Sequence, residues 1–401
     1  MKQGYIFFVI ALVLAGCGGG GGGGTTPPVM SSSSSSISSS SSSSSSSSVS
    51  SSSSSSSSSV VALKSLVGTL GFPIGVAVAG PGEGGNLLAN TQEKILVAAT
   101  FNSIVAGNIM KMSYLDPGPT QNPSDFTFAN ADLLLAYIQN NSGMVLHGHT
   151  LIWHADYQVP NFMKNFSGTP TQFAAILKTH VQTICSHFAG NVISWDVVNE
   201  AIDVDNTSTA IWRQSVFFTK SGNSPIFIEN AFKDARAADG AAKLYYNDYN
   251  IEWQTPKLNF LIAMVNDFKT RSIPIDGIGF QMHVGLTFPS ITSIRSALQA
   301  ATNTGLLVKI TELDVAVNGN NTLTSLDSTT SASQKQRYHD IVKAYLDIVP
   351  PAQRGGITVW GLTDGESWIN QPGHPDWPLM YNNDYTTKPA YDGVVQALQG
   401  L

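Results

Sequence analysis

Short apolar runs alternate with longer amphipathic stretches through most of the chain. The apolar runs predict buried strands at residues 72–78, 101–106, 143–149, 194–199, 243–248, 276–282, 307–313 and 356–363. Between them, apolar side chains recur at three- and four-residue spacing, which predicts helices at residues 129–140, 225–239, 256–271 and 331–348. Eight strands that alternate with helices close a parallel barrel, so we predict an α/β chain folded as a (β/α)8 TIM barrel over residues 60–401.

The first 59 residues lack this alternation and predict other kinds of segment. A short apolar stretch at residues 5–14 is typical of a secretory signal peptide, which we assign to residues 1–16. It ends in Leu-Ala-Gly-Cys, which is similar to a bacterial lipoprotein cleavage box, so we expect Cys17 to be lipidated. An ordinary signal peptide that contains a cysteine is the alternative. Residues 17–59 are rich in glycine and serine and predict a disordered linker.

These segments and the charge balance restrict the partners of the protein. We expect a protein of the bacterial cell envelope, held at the outer membrane or cell surface, with contact to the membrane through the lipid anchor only. The chain has 21 basic and 27 acidic residues, a net charge of −6 at pH 7, and no cluster of basic residues. It therefore offers no footprint for nucleic acid, and we expect a neutral or polar partner and a monomeric protein.

The chain contains two cysteines. If Cys17 is lipidated, Cys185 has no partner for a disulfide bond. Cys185 stands in a stretch with helical spacing, residues 173–188, so we predict a buried structural thiol without a catalytic role.

Two of the predicted strands deliver a carboxylate. Glu200 directly follows the fourth strand, and Glu312 lies in the apolar, β-branched run of the seventh. Functional residues of a parallel barrel gather at the carboxyl ends of its strands, so both side chains are expected at one rim. Most glutamates lie on solvated surfaces, but a pair of carboxylates beside core residues suits glycoside hydrolysis, with one group as acid and the other as nucleophile or base. This chemistry requires no metal and no organic cofactor.

The residues around both carboxylates resemble a known family. Residues 195–201 read Trp-Asp-Val-Val-Asn-Glu-Ala and residues 310–315 read Ile-Thr-Glu-Leu-Asp-Val, which are similar to motifs of glycoside hydrolase family 10. Members of this family are retaining endo-β-1,4-xylanases built on a TIM barrel, and the resemblance extends over residues 66–396. It implies hydrolysis of internal bonds of xylan and xylo-oligosaccharides, with Glu200 as acid/base and Glu312 as nucleophile.

The same resemblance implies residues that bind the sugar chain or support the carboxylates. His283 is expected to orient the nucleophile, with Asp314 in a supporting position. An amide beside the acid can bind the 2-hydroxyl of the sugar, which is the role implied for Asn199. The expected substrate-binding residues are Asn108, Lys111, His149, Trp153, Asn199, Tyr249, Gln281, Trp360 and Trp368.

Alternatives remain open for several of these side chains. A buried tyrosine with a satisfied hydroxyl competes with a sugar-stacking role for Tyr249, and a core position is the alternative for His283 and Trp360. The closely spaced histidines at positions 147, 149 and 154 are a second candidate site, because such spacing occurs in zinc clusters. No nearby cysteine or glutamate completes a tetrahedral set, and His154 is as compatible with a structural role.

The chain departs from the family pattern after the second strand. Family members usually show Glu-Asn-x-Met-Lys-Trp there, whereas this chain has Gly107 in place of the Glu and Met112 in place of the Trp. The resemblance implies that the Glu, Asn and Lys of this pattern hydrogen-bond the sugars on the glycone side, and this chain keeps Asn108 and Lys111. Loss of a charge-assisted hydrogen bond typically costs about 1.5 to 3 kcal/mol, so we expect an altered distal glycone subsite. Gly107 either makes room for a substituent on the xylan chain, or shifts binding energy to other subsites, or is an incidental or engineered loss without a gain.

Two rival functions remain open, the second of which is suggested by these departures. The same fold is compatible with another β-glycan or a decorated β-glycoside as substrate. A catalytically weak carbohydrate-binding lipoprotein is the other alternative. Glu366 is a third acid near the predicted site; its spacing places it in a loop, without a catalytic role.

Overall fold

A computed structural model describes residues 60–120 and 122–401 of the chain. The predicted signal peptide at residues 1–16, the predicted lipidation at Cys17 and the predicted linker at residues 17–59 lie outside the described residues. Within the described ranges, no helix is long and apolar enough to cross a membrane.

Eight parallel strands close into a barrel, which confirms the predicted fold class. The strands are β1 (Ile74–Val78), β2 (Ser103–Ala106), β3 (Val145–Trp153), β4 (Val192–Asn199), β5 (Lys243–Asp248), β6 (Gly277–Phe280), β7 (Leu307–Ala316) and β8 (Arg354–Val359). Each strand pairs with the next, and β8 closes the barrel because Ile357 is in register with Ile74 of β1 and with Ile310 of β7.

The observed strand ends differ from the predicted ones where pairing between strands decides them. Strand β5 has the predicted bounds. Strand β3 extends past residue 149 because Trp153 still pairs with Asn199 at the end of β4. Strand β7 likewise continues to Ala316, which pairs with the short strand His283–Gly285.

Helices cover the outside of the barrel. In the described residues they are α1 (Leu63–Val67), α2 (Thr91–Thr100), α3 (Met112–Leu115), α4 (Ala129–Gln139), α5 (Asn161–Lys164), α6 (Pro170–His187), α7 (Val216–Lys220), α8 (Ile226–Ala238), α9 (Thr255–Thr270), α10 (Ile291–Thr302), α11 (Ser328–Ile348) and α12 (Pro389–Gln399). The four helices predicted from apolar spacing correspond to α4, α8, α9 and α11. An antiparallel hairpin, Ile202–Val204 with Ala210–Trp212, follows β4.

Helix α6 shows how local sequence sets these elements. Its first residue is a proline, and Thr169 before it forms a capping box with Gln172: Thr169 Oγ1 accepts from the Gln172 backbone N–H, and Gln172 Oε1 accepts from the Thr169 backbone N–H. Its inner face carries Cys185, which is a free thiol with no exposed surface, as predicted. Burial raises the pKa of this thiol, which keeps it protonated and unreactive.

Glycine allows a close approach between two strands beneath the catalytic rim. A Cβ atom at Gly148 of β3 would lie 2.1 Å from the ring of Trp195 on β4, so any side chain there would displace this indole. Trp195 has no exposed surface. The glycine between His147 and His149 therefore lets both histidines face β4 from a tightly packed strand pair.

Candidate active site

Glu200 stands at the point where the chain leaves β4. Its backbone has a φ of 59°, a left-handed conformation that a residue with a side chain rarely adopts. Its backbone N–H donates to the carbonyl of Asn247 on β5 (3.0 Å), which holds this turn in place. The carboxylate accepts hydrogen bonds at Oε1 from Gln281 Nε2 (2.8 Å) and Asn199 Nδ2 (3.1 Å). His154 Nδ1 lies 3.7 Å from the other oxygen, Oε2.

Two buried amides connect this carboxylate to Glu312. Asn247 Nδ2 donates to Glu312 Oε1 (2.7 Å) and to Asn199 Oδ1 (3.0 Å), while Asn199 Nδ2 donates to Glu200. Asn247 has no exposed surface, and its Oδ1 accepts from Thr311 Oγ1 (2.6 Å). The two carboxylates are thus held at one rim by a continuous set of hydrogen bonds from β4, β5 and β7.

Glu312 is the buried member of the pair, with 5% of its surface exposed. Its Oε2 lies 3.2 Å from His283 Nε2. Burial acts to raise the pKa of Glu312, but the hydrogen bond from His283 and the proximity of His149 outweigh it, so the pKa lies below its ordinary value. An ionised carboxylate with fixed donors is suited to act as a nucleophile.

His283 is charged because it lies between two carboxylates. Its Nδ1 lies 2.8 Å from Asp314 Oδ2 while its Nε2 faces Glu312. Burial disfavours the imidazolium, yet Asp314 and Glu312 raise the pKa of His283 well above its ordinary value. Trp368 Nε1 donates to the same Asp314 oxygen (3.0 Å), and its ring meets the imidazole edge to face at 5.1 Å. The indole is 53% exposed and is available to a sugar.

A second buried cluster contains His147 and His149, two of the closely spaced histidines that the sequence offered as a candidate zinc site. His149 Nδ1 and His147 Nε2 lie 2.9 Å and 3.0 Å from the same oxygen of Asp196. Burial lowers the pKa of His147 to about 4, so this ring is neutral at neutral pH. Within the described residues, no group of three or more His, Cys, Asp and Glu side chains is arranged to hold a metal ion. His149 meets the ring of Trp360 edge to face at 5.2 Å.

Lys111 extends the site on the predicted glycone side. Its Nζ donates to Asn108 Oδ1 (3.1 Å) and lies 4.7 Å from the ring centroid of Trp153 and 6.0 Å from that of Trp360. Burial lowers the pKa of Lys111 to about 8, against the opposing effect of the Glu312 and Glu200 carboxylates. The two predicted glycone residues, Asn108 and Lys111, therefore contact each other, and Lys111 also contacts the aromatic rings.

Tyr249 is connected to Glu200 through Arg213, and its ring is half-buried. Its hydroxyl accepts a hydrogen bond from Arg213 Nη2 (2.8 Å), and Lys257 Nζ lies 3.7 Å from its ring centroid. Arg213 Nε also donates to the Glu200 carbonyl (2.7 Å). The hydroxyl therefore has a hydrogen-bond partner within the protein. This favours a structural role for Tyr249 over stacking on a sugar.

The sequence prediction missed several residues of this region. Asn247 had a signal, because it lies next to the last residue of β5, in register with Asn199, and site residues of a parallel barrel gather at strand ends. Arg213 and Lys257 are brought in by the hairpin and by α9, and no motif marks them. Glu366 lies in the predicted loop, between β8 and α12, where it ends a 3-10 turn (Asp364–Glu366) and its carboxylate accepts the backbone N–H groups of Leu362 and Thr363.

A closed parallel barrel with two rim carboxylates linked through hydrogen-bonded amides, and with the exposed ring of Trp368 and the half-buried rings of Trp153 and Trp360 beside them, is typical of TIM-barrel glycoside hydrolases. The family model of glycosyl hydrolase family 10 matches residues 62–397. The chain belongs to glycoside hydrolase family 10.

Curated relatives support the same family. The chain is 49% identical over 346 residues to endo-beta-1,4-xylanase Xyn10C of Cellvibrio japonicus, with 82% of this chain and 56% of the relative covered. It is 46% identical over 349 residues to endo-1,4-beta-xylanase A of Cellvibrio japonicus strain Ueda107, with the same shares covered. The chain thus spans about half the length of these relatives.

Solved structures agree with the fold. The native xylanase10C from Cellvibrio japonicus superposes with a TM-score of 0.78 at 50% identity, covering 82% of this chain and 71% of that one. A variant of the same xylanase in complex with xylopentaose gives the same TM-score and identity, covering 82% of this chain and 67% of that one.

Proposed function

We propose that this protein is a retaining endo-1,4-β-xylanase that hydrolyses internal β-1,4-xylosidic bonds of xylan and xylo-oligosaccharides. The observation that carries the proposal is the pair Glu200 and Glu312, joined through Asn199 and Asn247. The two Cellvibrio japonicus relatives, which are endo-xylanases, support the substrate class.

In the proposed mechanism, Glu312 attacks the anomeric carbon while Glu200 donates a proton to the departing oxygen. Water then hydrolyses the glycosyl-enzyme, with Glu200 acting as the base. The charged ring of His283 and the amide of Asn247 keep Glu312 ionised and fix its direction. Neither step uses a metal or an organic cofactor.

The remaining predicted residues are assigned to the sugar chain. Asn199 and Gln281 present amides at the acid, where they are placed to bind a sugar hydroxyl as charge develops. Aromatic faces suit pyranose rings because a sugar presents an apolar C–H surface. The residues assigned to substrate are Asn108, Lys111, His149, Trp153, Asn199, Gln281, Trp360 and Trp368. Tyr249 is left out of this set because Arg213 holds its hydroxyl and Lys257 lies over its ring. The distal glycone subsite is altered because Gly107 has no side chain.

The proposal is tested by product analysis of the full chain on glucuronoarabinoxylan, with Glu312→Ala as the control. We expect mixed oligosaccharides from the wild type and none from the variant. Proton NMR of the first turnovers should show the β-anomer, because double displacement retains configuration. Initial release of the α-anomer, or no release by the wild type, would overturn the proposed function.

We further propose that Cys17 carries a lipid that anchors the enzyme to the bacterial cell envelope, at the outer membrane or cell surface. The support is the Leu-Ala-Gly-Cys sequence and the apolar stretch before it. Cells that express the full chain and are fed radiolabelled palmitate should yield labelled enzyme in the membrane fraction, and Cys17→Ser should yield unlabelled enzyme. Equal labelling of both proteins would exclude Cys17 as the lipidated residue.

Both carboxylates come from one chain, which supports action as a monomer.

A further inference from the structure

We infer that Glu83, in the loop after β1, supplies the carboxylate that binds sugar at the distal glycone subsite, the function that Gly107 cannot perform. The inference rests on the proposed function and names a residue that the family pattern does not predict. Related enzymes usually carry this carboxylate at the position of Gly107, after β2. Here a neighbouring loop brings a carboxylate to the same asparagine and lysine.

The Glu83 carboxylate is held by two hydrogen bonds. Its Oε2 accepts the backbone N–H of Gly80 (2.6 Å), which closes a short turn after β1. Its Oε1 accepts from Asn108 Nδ2 (2.7 Å), and Asn108 Oδ1 in turn accepts from Lys111 Nζ. Carboxylate, amide and ammonium therefore form one linked polar group, although Glu83 and Asn108 come from different loops.

This polar group is electrostatically connected to the catalytic centre. Lys111 is buried, and the carboxylates that counter the effect of burial on its pKa are Glu312, Glu200 and Glu83. Burial raises the pKa of the exposed Tyr114, and the Glu83 carboxylate adds to this effect. Glu83 thus interacts electrostatically with the same ammonium group, that of Lys111, as the two catalytic carboxylates do.

Glu83 retains capacity to bind a ligand. An ionised carboxylate offers about four lone-pair sites. In the described residues, two hydrogen bonds reach it, from Gly80 and Asn108. The side chain is partly exposed, so the remaining lone pairs are accessible to sugar hydroxyls. Asn108 fixes its direction, as a positioned acceptor in a sugar subsite requires.

Gly107 is not required by the backbone, which makes the inference testable. Its φ lies outside the left-handed region, and a Cβ atom there would meet the carbonyl oxygen of Val78 at 3.4 Å, an ordinary contact. A glutamate can therefore be introduced at position 107 without a steric conflict at its Cβ. If Glu83 and a glutamate at 107 serve the same sugar, each should substitute for the other.

The experiment compares two substrates with the same leaving group in the full chain. An aryl β-xyloside occupies one glycone subsite, and an aryl β-xylobioside occupies two, so the ratio of their kcat/KM values reports the distal subsite. We expect Glu83→Gln to lower this ratio about 10- to 100-fold, the effect of removing a charged acceptor. Gly107→Glu should restore the ratio in the Glu83→Gln background but change it less than about threefold in the wild type. Glu366→Gln, which changes a carboxylate bound only to backbone N–H groups, is the matched control and should leave the ratio unchanged.

The outcomes separate the inference from the proposed function. Failure of the wild type to hydrolyse either substrate or xylan sinks the proposed function and the inference with it. A wild type that hydrolyses both substrates, with a ratio changed less than twofold by Glu83→Gln, overturns the role of Glu83 alone. Equal losses on both substrates with a lower melting temperature would show that Glu83 only holds its loop. If Glu83→Gln is too unstable to assay, the double variant with Gly107→Glu decides: a wild-type ratio supports the inference, and a ratio still 10-fold low refutes it.

Discussion

Replacing Asn247 by aspartate changes the electrostatics around the nucleophile without changing the shape of the site. The substitution keeps the Oδ1 acceptor for Thr311 but replaces Nδ2, which donates to Glu312 (2.7 Å) and to Asn199 (3.0 Å), by an oxygen. Loss of the charge-assisted hydrogen bond alone costs about 1.5 to 3 kcal/mol, a loss of about 10- to 150-fold in kcat/KM.

The new carboxylate also faces Glu312 at the distance of the lost hydrogen bond. Two unit charges 2.7 Å apart repel by about 6 kcal/mol at an effective dielectric constant of about 20. This repulsion corresponds to about four pKa units, and relaxation of the site reduces it. We expect the pair to hold one proton between them and the acidic limb of the kcat/KM profile to move to higher pH by at least about two units, because a carboxyl with a raised pKa ionises only at higher pH.

The assay is the pH dependence of kcat/KM for an aryl β-xylobioside between about pH 3 and 9, since this parameter reports the ionisation of the free enzyme. Asn247→Ala is the control, because it removes the same donor without adding a charge; we expect a similar loss at the plateau and a limb displaced by about one unit or less. If the aspartate and alanine variants have the same acidic limb, a carboxylate at position 247 does not repel Glu312, and the proposed electrostatic coupling is refuted.

Three further predictions follow from burial and contacts in the same domain. Lys111→Met should raise the free energy of unfolding at pH 6 by on the order of 3 kcal/mol, because burial lowers the pKa of Lys111 from its ordinary value of 10.5 to about 8 in the folded state. The gain should fade as the pH rises from 8 to 10.5, and a lower melting temperature of the variant at pH 6 would contradict this. In a Cys17→Ser background, Cys185 should react with a thiol reagent only in denaturant, and labelling of the native protein within minutes would disprove its burial. Trp368→Phe, which keeps a ring but loses the hydrogen bond to Asp314, should lower kcat/KM about 2- to 10-fold, and Trp368→Ala considerably more; equal losses would show that the ring contributes nothing beyond its N–H.

The barrel could be predicted because each strand is a short apolar run that can be recognised from its own sequence, without knowledge of the strands beside it. Strand β5 matched its predicted bounds, because polar residues flank its short apolar run at both ends, Lys243 before it and Asn247 and Asp248 after it. The ends of β3 and β6 were not predicted. Trp153 belongs to β3 only because it pairs with β4. The chain leaves β6 before Met282, which has a left-handed φ of 64°. Such conformations depend on tertiary contacts that local propensity does not contain.

The site was predicted where residues adjoin the carboxylates in sequence and was missed where they approach through space. Asn199 is next to Glu200 and belongs to a recognisable motif, whereas Asn247 reaches Glu312 across two strands. Glu83 stands in a glycine-rich turn that reads as a loop, and nothing in that pattern indicates a bond to Asn108. Contacts between distant loops become visible only when the barrel brings the strand ends together.

The left-handed backbone at Glu200 has a consequence for how this sequence can change. Glycine, and to a lesser degree asparagine, adopt this conformation with less strain than glutamate. Random mutation screened for thermal stability alone should therefore enrich replacements of Glu200, and the enriched proteins would be better folded and inactive. Persistence of glutamate at this position across a drifting population would measure the selective value of turnover against that of stability.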